Sequence, residues 1–295
     1  MSAAPAGPQW WPAPAKLNLF LHINGRRADG YHELQTLFQL LDWGDEISIE
    51  ATADGRIERL AGPADVAPAD DLTVRAAQAL QAAAGLGLGA RLRLRKRIPL
   101  GGGLGGGSSD AATVLRVLNR LWGLDWPLGR MAELGLRLGS DVPIFVHGSS
   151  AWGEGRGEKL TPVALPEAWY VIVHPGASVA TAEIFQAPEL TRNSPLITIR
   201  ALSPGQAAGG TRNDCEPAVR ARYPAVAAAL DWLAARGGAR LSGTGSCVFA
   251  TYASAAEAER VAARVPDEWT SVVARGVNRS PLEDLLAVRA AGGGA

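Results

Sequence analysis

Little in this sequence invites a covalent or metal-built scaffold. Its 295 residues include only two cysteines, Cys215 and Cys247, and four histidines. The cysteines are far apart and share no metal-ligand spacing with a histidine, so neither a disulfide framework nor a zinc site is expected. Both read as small buried side chains. Net charge is missing too, since 29 Lys and Arg face 29 Asp and Glu. Without an overall cationic field the chain cannot hold a polyanion, so nucleic acid is not an expected partner and any anionic ligand must be bound locally. No run reaches the roughly 18 apolar residues of a membrane span, and the first eight residues show no basic region followed by an apolar stretch. These absences predict a cytoplasmic protein with no membrane partner; they leave the oligomeric state open.

What is present is ordinary for a globular enzyme: 47% hydrophobic and 20% charged residues, in a chain long enough for two modest domains. Lys16–Ile23 alternates, with Leu17, Leu19, Leu21 and Ile23 on one face and Lys16, Asn18, Phe20 and His22 on the other, which predicts a strand that projects Lys16 and Asn18 together. A turn follows at 26–30, and a short strand at Glu46–Glu50. Helical spacing from Asp71 to Ala84 ends at Gly85, and Ala90–Ile98 alternates again until Pro99 stops it. Beyond a glycine run, Ala111, Val114, Leu115, Leu118 and Leu121 recur at the helical period up to Gly123. A helix is expected over Gly129–Leu138, and a strand over the apolar stretch Ile144–Trp152.

Pro162 and Pro166 mark a shift in composition, which predicts an N-terminal domain over 1–164 and a C-terminal domain over 165–295. In the second part, strands are expected at Trp169–Val173, Cys247–Tyr252 and Ser271–Val277, and helices at Pro224–Ala235 and Ala255–Val265. A Gly-, Ser- and Pro-rich loop is expected over Ser203–Gly210. The order of elements predicts an α+β fold of two layers side by side.

The glycine run is the most informative segment: Pro99-Leu100-Gly101-Gly102-Gly103-Leu104-Gly105-Gly106-Gly107-Ser108-Ser109. Six glycines around Leu104 let the backbone take positive φ, so that successive amides converge on one point with no Cβ in the way. The helix expected to begin near Ser108 adds the positive end of its dipole, and the hydroxyls of Ser108 and Ser109 are available to cap amides or bond phosphate oxygens. A dinucleotide fingerprint drawn through Gly101, Gly103 and Gly106 lacks its acidic residue about twenty positions on, and the Walker pattern lacks its lysine. A flexible surface loop would not need six glycines between a strand and a helix. The run therefore predicts binding of the phosphate chain of ATP.

This loop, continued by Asp110-Ala111-Ala112, resembles the phosphate loop of the galacto-, homoserine, mevalonate and phosphomevalonate kinase superfamily. Four motifs narrow the resemblance: Pro14-Ala15-Lys16-Leu17-Asn18-Leu19, Arg27-Ala28-Asp29-Gly30-Tyr31-His32, Gly139-Ser140-Asp141-Val142-Pro143 and Leu241-Ser242-Gly243-Thr244-Gly245-Ser246-Cys247. They are similar to the branch of that superfamily that phosphorylates the 2-hydroxyl of a cytidine diphosphate alcohol in non-mevalonate isoprenoid synthesis, and the likeness runs from about Trp11 to Leu282. The resemblance implies a two-domain kinase fold with its active site in the interdomain cleft, ATP as phosphoryl donor and Mg2+ bridging the phosphates, though it names no protein ligand for the metal. Ser140 and Ser246 stand where related enzymes often have Ala. Asp71 stands where Asn is frequent, and its role is open.

By the same resemblance Asp141 is the base that takes the proton of the attacking hydroxyl, Lys16 is its cationic partner, and Asn18 bonds the substrate near that hydroxyl. Tyr31 and Phe185 would lie on either side of the cytosine while His32 bonds its polar edge, and Lys96 would border the adenine. Gly243 and Thr244 belong to a small-residue turn placed to approach the substrate diphosphate or the ATP phosphates. Each assignment has a plainer alternative. Asp141 is also a helix cap ahead of Pro143, Lys16 a solvated strand residue, Tyr31 and His32 surface hairpin residues, Phe185 a core aromatic and 242–245 a tight turn. A sister kinase acting on mevalonate, homoserine or a sugar, and a non-catalytic nucleotide-binding module, are the rival readings of the whole chain.

Overall fold

The structure, a computed structural model, describes residues 9–198 and 211–292. The loop expected over Ser203–Gly210 lies outside the described residues. Two long strands, β1 (Trp10–Arg26) and β2 (His32–Thr52), form an antiparallel hairpin from which the sheet is built. Its turn is made by local chemistry: Gly30 sits at φ +87°, and the Asp29 carboxylate accepts from the Tyr31 amide at 3.1 Å.

β2 is paired along nearly its whole length. Besides β1 it meets β4 (Gly89–Arg95), β5 (Ala151–Gly155) and β10 (Thr270–Val277), while β3 (Ile57–Ala61) runs parallel to β4 and β6 (Lys159–Pro162) pairs with β5. Beyond β10 come β7 (Trp169–His174), β9 (Val248–Tyr252) and β8 (Arg240–Leu241). The path β3-β4-β2-β10-β7-β9-β8 carries one sheet through both halves of the chain.

Helices α1 (Leu72–Ala84), α2 (Gly106–Leu121), α3 (Leu128–Leu136) and α4 (Val142–His147) pack on the first half of the sheet in a core with Trp11, Phe38, Ile47 and Leu92. Helices α5 (Thr181–Gln186), α6 (Glu216–Arg222), α7 (Pro224–Gly237) and α8 (Ala255–Ala262) follow in the second half, whose core gathers Ile23, Val171, Val173 and Leu230. The last helix, α9 (Pro281–Gly292), returns to the first core through Leu282 and Leu286. A third cluster, Ala15, Leu17, Leu104, Ile172, Cys247 and Phe249, lies between the two, beneath the glycine loop. Among the described residues no helix is long and apolar enough to cross a membrane. The α+β class expected from the sequence is the class found.

Expected and observed elements agree where local signals are strong. α1 starts after Asp71, whose carboxylate accepts from Thr73 N at 2.8 Å, and ends at Gly85 in the left-handed region at φ +65°. Asp71 also pairs with Arg59 at 2.7 Å. α2 begins at Gly106, two residues before the expected Ser108, because a positive-φ glycine, Gly105, already serves as its N-cap.

One expectation fails and another holds in part. Ile144–Trp152 is not one strand: 142–147 is α4, closed by Gly148 at φ +65°, and β5 begins only at Ala151. Val142, Pro143, Ile144, Phe145 and Val146 are all buried, so the short helix has no polar face to show its period. β1 is the strand expected, and Lys16 and Asn18 do project together, but a register irregularity between Asn18 and Leu21 interrupts the alternation beyond them. Lys16 and Asn18 are buried at 2% and 3% exposure, so the polar face of β1 is covered rather than solvated.

Candidate active site

The glycine loop crosses from the end of β4 to α2 over a single apolar plug. Leu104 is 1% exposed in the third core, which contributes roughly 1.5–3 kcal/mol toward holding the loop in place. Gly101, Gly103 and Gly105 flank it at φ +67°, +72° and +73°, a backbone that L side chains rarely adopt. Since Ser109 N bonds Gly105 O at 2.9 Å, the helix leaves the amides of Gly106, Gly107 and Ser108 without partners of its own. Three N–H groups and the positive end of a helix of sixteen residues thus face one place.

The loop is fastened to the second half of the chain by backbone bonds. Ser246 N donates to Gly101 O at 3.1 Å and Cys247 N to Gly102 O at 3.0 Å, while the Ser242 hydroxyl donates to Gly103 O at 2.9 Å. A Cβ on Gly103 would overlap the carbonyl oxygen of Ser242. Gly103→Ala, combining that overlap with a left-handed backbone that costs an L residue roughly 1–2 kcal/mol, is expected to lower stability by at least that amount and to weaken ATP binding. Urea unfolding and nucleotide titration check both.

Lys16 enters this arrangement from β1. Its amide donates to Leu104 O at 3.0 Å, and its ammonium donates to Gly103 O at 2.9 Å and to Asn18 Oδ1 at 2.5 Å. Asp141 Oδ2 lies 3.4 Å from the same nitrogen. Asp141 precedes α4 but makes no capping bond with its side chain, which is one-third exposed toward the cavity. Asn18 is oriented in turn, its Nδ2 donating to Thr36 Oγ1 at 2.9 Å. An ammonium, a carboxylate and an amide from positions up to 125 apart in the chain therefore meet beside the free amides of α2.

Lys96 lies on the other flank of the loop. It bridges Asp45 at 2.6 Å and Asp110 at 2.8 Å, and a Cβ on Gly106 would come within 2.9 Å of its ammonium. Burial drives the Asp110 carboxyl well above its ordinary pKa, with Lys96 opposing the shift and Asp45 adding to it. Burial also works against the Lys96 ammonium, but the two carboxylates outweigh it and raise its pKa. Asp45 accepts besides from the amides of Arg97 and Ile98, which fixes the exit of the chain from β4.

A cavity of about 850 Å³ takes in the loop, Lys16, Asn18, Lys96 and Asp141, and extends to Tyr31, His32 and Phe185. Gly243 and Thr244 form part of its wall, the Thr244 hydroxyl 3.0 Å from that of Thr181. Of the residues singled out from the sequence only Ser109 is off this wall: it is fully buried in the first turn of α2. His32 and Phe185 stack with ring centroids 5.1 Å apart, so the two rings touch each other in this structure. Tyr31 is half exposed, with the Arg156 guanidinium 3.6 Å over its ring.

Sequence reasoning missed Arg156, which also donates to the Ser140 hydroxyl at 3.0 Å beside Asp141, and Arg192, which donates to His32 Nε2 at 3.3 Å. Neither sits in a local pattern, and only the fold brings them to the site. Asp71, left open above, is accounted for by its cap and its pair with Arg59, while its neighbour Leu72 lines the cavity.

A glycine loop opening a helix, a lysine and an aspartate beside it, and a cavity of about 850 Å³ that continues from the loop to Tyr31, His32 and Phe185 define an ATP-dependent small-molecule kinase. Family comparison gives the class: residues 71–149 match the GHMP kinases N terminal domain and residues 196–271 match GHMP kinases C terminal. The chain is 57% identical over 280 residues to the 4-diphosphocytidyl-2-C-methyl-D-erythritol kinase of Halorhodospira halophila, covering 94% of this chain and 96% of that protein. It is 56% identical over 272 residues to the enzyme of the same name from Alkalilimnicola ehrlichii, covering 92% of each. A crystal structure of 4-(cytidine 5'-diphospho)-2C-methyl-D-erythritol kinase superposes with a TM-score of 0.78 at 35% identity, over 91% of this chain and 99% of that one. Within the GHMP kinases the chain belongs to the 4-diphosphocytidyl-2-C-methyl-D-erythritol kinase family.

Proposed function

We propose that the protein uses ATP to phosphorylate the 2-hydroxyl of 4-(cytidine 5'-diphospho)-2-C-methyl-D-erythritol, a step in non-mevalonate isoprenoid precursor synthesis. The observation that carries this reading is the Lys16 ammonium held between the Gly103 carbonyl of the phosphate loop and the Asp141 carboxylate. Phosphoryl transfer asks for positioning and for neutralisation of charge on the transferred group. The amides of Gly106, Gly107 and Ser108 grip the triphosphate, Lys16 stabilises the charge that develops on the γ-phosphoryl oxygens, and Asp141 accepts the hydroxyl proton. Asn18, pinned by Thr36, orients the alcohol.

The pyrimidine end of the cavity supports a cytidine substrate. Tyr31 and Phe185 offer ring faces for stacking, and His32 offers a polar edge to the base. On this reading residues 1–164 form the nucleotide half and residues 165–295 complete the substrate wall. Magnesium would arrive with the nucleotide: among the described residues no group of three or more His, Cys, Asp or Glu side chains could hold an ion, and Mg2+ held mainly by phosphate oxygens and water needs only one or two protein ligands. The Ser108 hydroxyl, on the cavity wall at the start of α2, is the oxygen donor that would complete that shell while Asp141 stays available for the proton, and the ion would neutralise phosphate charge. Both cysteines are free and buried, as suits a reducing cytoplasm, where we place the reaction.

The test is ADP release from ATP, Mg2+ and the cytidine diphosphate alcohol, with mevalonate, homoserine and galactose as controls. Turnover of a control in place of the cytidine substrate would reassign the enzyme. Tyr31→Ala is expected to raise the KM for the cytidine substrate by the equivalent of about 1–3 kcal/mol of lost stacking with the KM for ATP unchanged. An unaltered substrate dependence would remove Tyr31 from the base site.

A further inference from the structure

One guanidinium organises the base end of the cavity. Arg192 follows α5 in the chain and spends its donors on four acceptors: Nε on His32 Nε2 at 3.3 Å, Nη1 on Leu190 O at 3.1 Å, and Nη2 on Phe185 O at 3.1 Å and Ala187 O at 2.8 Å. The carbonyls of Phe185 and Ala187 lie at the C-terminal end of α5, where the helix itself leaves such groups without partners, and Ala187 O accepts besides from Leu190 N at 3.2 Å. The same side chain therefore holds the helix end that carries Phe185 and the ring that stacks on Phe185.

The bond to His32 also decides a proton. A guanidinium donates and cannot accept, so the imidazole nitrogen facing it must carry a lone pair. Nε2 is then bare and the single proton of the neutral ring sits on Nδ1, the opposite of the tautomer that an unconstrained histidine favours in water. Among the described residues Nδ1 has no protein partner, and His32 lines the cavity.

Resting on the cytidine reading given above, we infer that Arg192 is a positioning residue for base recognition: it fixes His32 as an Nδ1–H donor and keeps Phe185 stacked beside it. The pairing edge of cytosine carries two adjacent acceptors, N3 and O2, beside its N4 amino donor, and an Nδ1–H donor matches the two acceptors. Without Arg192 the ring is free to turn or to exchange tautomers, and a bare nitrogen then faces N3 and O2 in place of the N–H.

The electrostatics agree with this geometry. The charged groups facing His32 are Arg192 and Arg26 at the end of β1, both cationic; burial first, and then these two charges, hold the imidazole below its ordinary 6.5. A neutral ring is needed for the bond from Arg192, so base recognition is retained as pH falls through 6.5 and is lost only when the lowered pKa is crossed.

Nitrogen NMR of the ligand-free full-length protein tests the tautomer without reference to any substrate. The expected spectrum shows His32 with Nδ1 protonated, Nε2 bare, and a titration midpoint below 6.5. In Arg192→Met the proton is expected to move to Nε2 and the midpoint to rise. The KM for the cytidine diphosphate alcohol should then increase about tenfold, the scale of one hydrogen bond and its orientation, with kcat within about threefold and the KM for ATP unchanged. Its KM should also begin to climb at a higher pH than in the unaltered enzyme. Arg192→Lys, which keeps a charge but cannot span four acceptors, should restore the midpoint more than the KM. A wild-type His32 protonated on Nε2, or an Arg192→Met enzyme with unchanged KM, overturns the inference even if the cytidine substrate is turned over. Failure of the wild-type enzyme to act on that substrate would instead strike the functional reading and leave the tautomer measurement standing.

Discussion

Asp141→Asn is expected to cut turnover by at least about 10²-fold, the lower range of what a positioned general base supplies, while leaving ATP affinity within a few-fold. The side chain has the freedom and the company for that task. It is open to the cavity, spends no bond on capping α4, and lies 3.4 Å from the Lys16 ammonium. Asn keeps its shape and removes the proton acceptor, so the loss should fall on kcat and not on nucleotide binding. Steady-state kinetics with a parallel ATP titration decide the matter: near-normal turnover would take Asp141 out of the mechanism.

Lys16→Met should be at least as damaging, with turnover reduced by about 10²- to 10³-fold, as when a donor to a developing oxyanion is deleted. It also carries a structural penalty that Asp141→Asn lacks. Lys16 is 2% exposed, and its removal leaves Asn18 Oδ1 without the donor it faces at 2.5 Å, although Gly103 O keeps the Ser242 hydroxyl. An orphaned buried acceptor costs about 1–3 kcal/mol, so urea unfolding should show a weakened protein in this variant only. Equal stability of the two variants would mean that Lys16 serves the reaction and not the fold. Normal turnover by Lys16→Met would defeat its assigned role.

How much of this was legible in the sequence depended on distance along the chain. α1 could be read almost to the residue because its start and stop, Asp71 and Gly85, are signals carried by the helix itself. The phosphate loop was legible for the same reason, six glycines between a strand and a helical period. α4 was not, since five consecutive buried residues erase the contrast between faces that a period needs. β2 was seen only at Glu46–Glu50, although it runs for 21 residues, because most of it is covered on both faces and shows little alternation.

The site followed the same rule. Lys16, Asn18, Tyr31, His32 and Asp141 stood out because short motifs surround them, and the fold gathers them around one cavity. Arg192 was invisible: its importance lies in a bond to a ring 160 positions earlier, and nothing beside it in the chain says so. Ser109, which looked like a phosphate ligand from its place next to Ser108, turns inward because consecutive helical side chains point about 100° apart.

The two backbone hydrogen bonds from the Ser246 and Cys247 amides to the Gly101 and Gly102 carbonyls make the nucleotide grip a joint product of residues about 145 positions apart. Neither half of the polypeptide, expressed separately, would own a finished phosphate cradle. Split into complementary fragments, the enzyme would recover catalysis only on reassembly, and a destabilising change deep beneath Cys247 would be felt first as weakened hold on ATP.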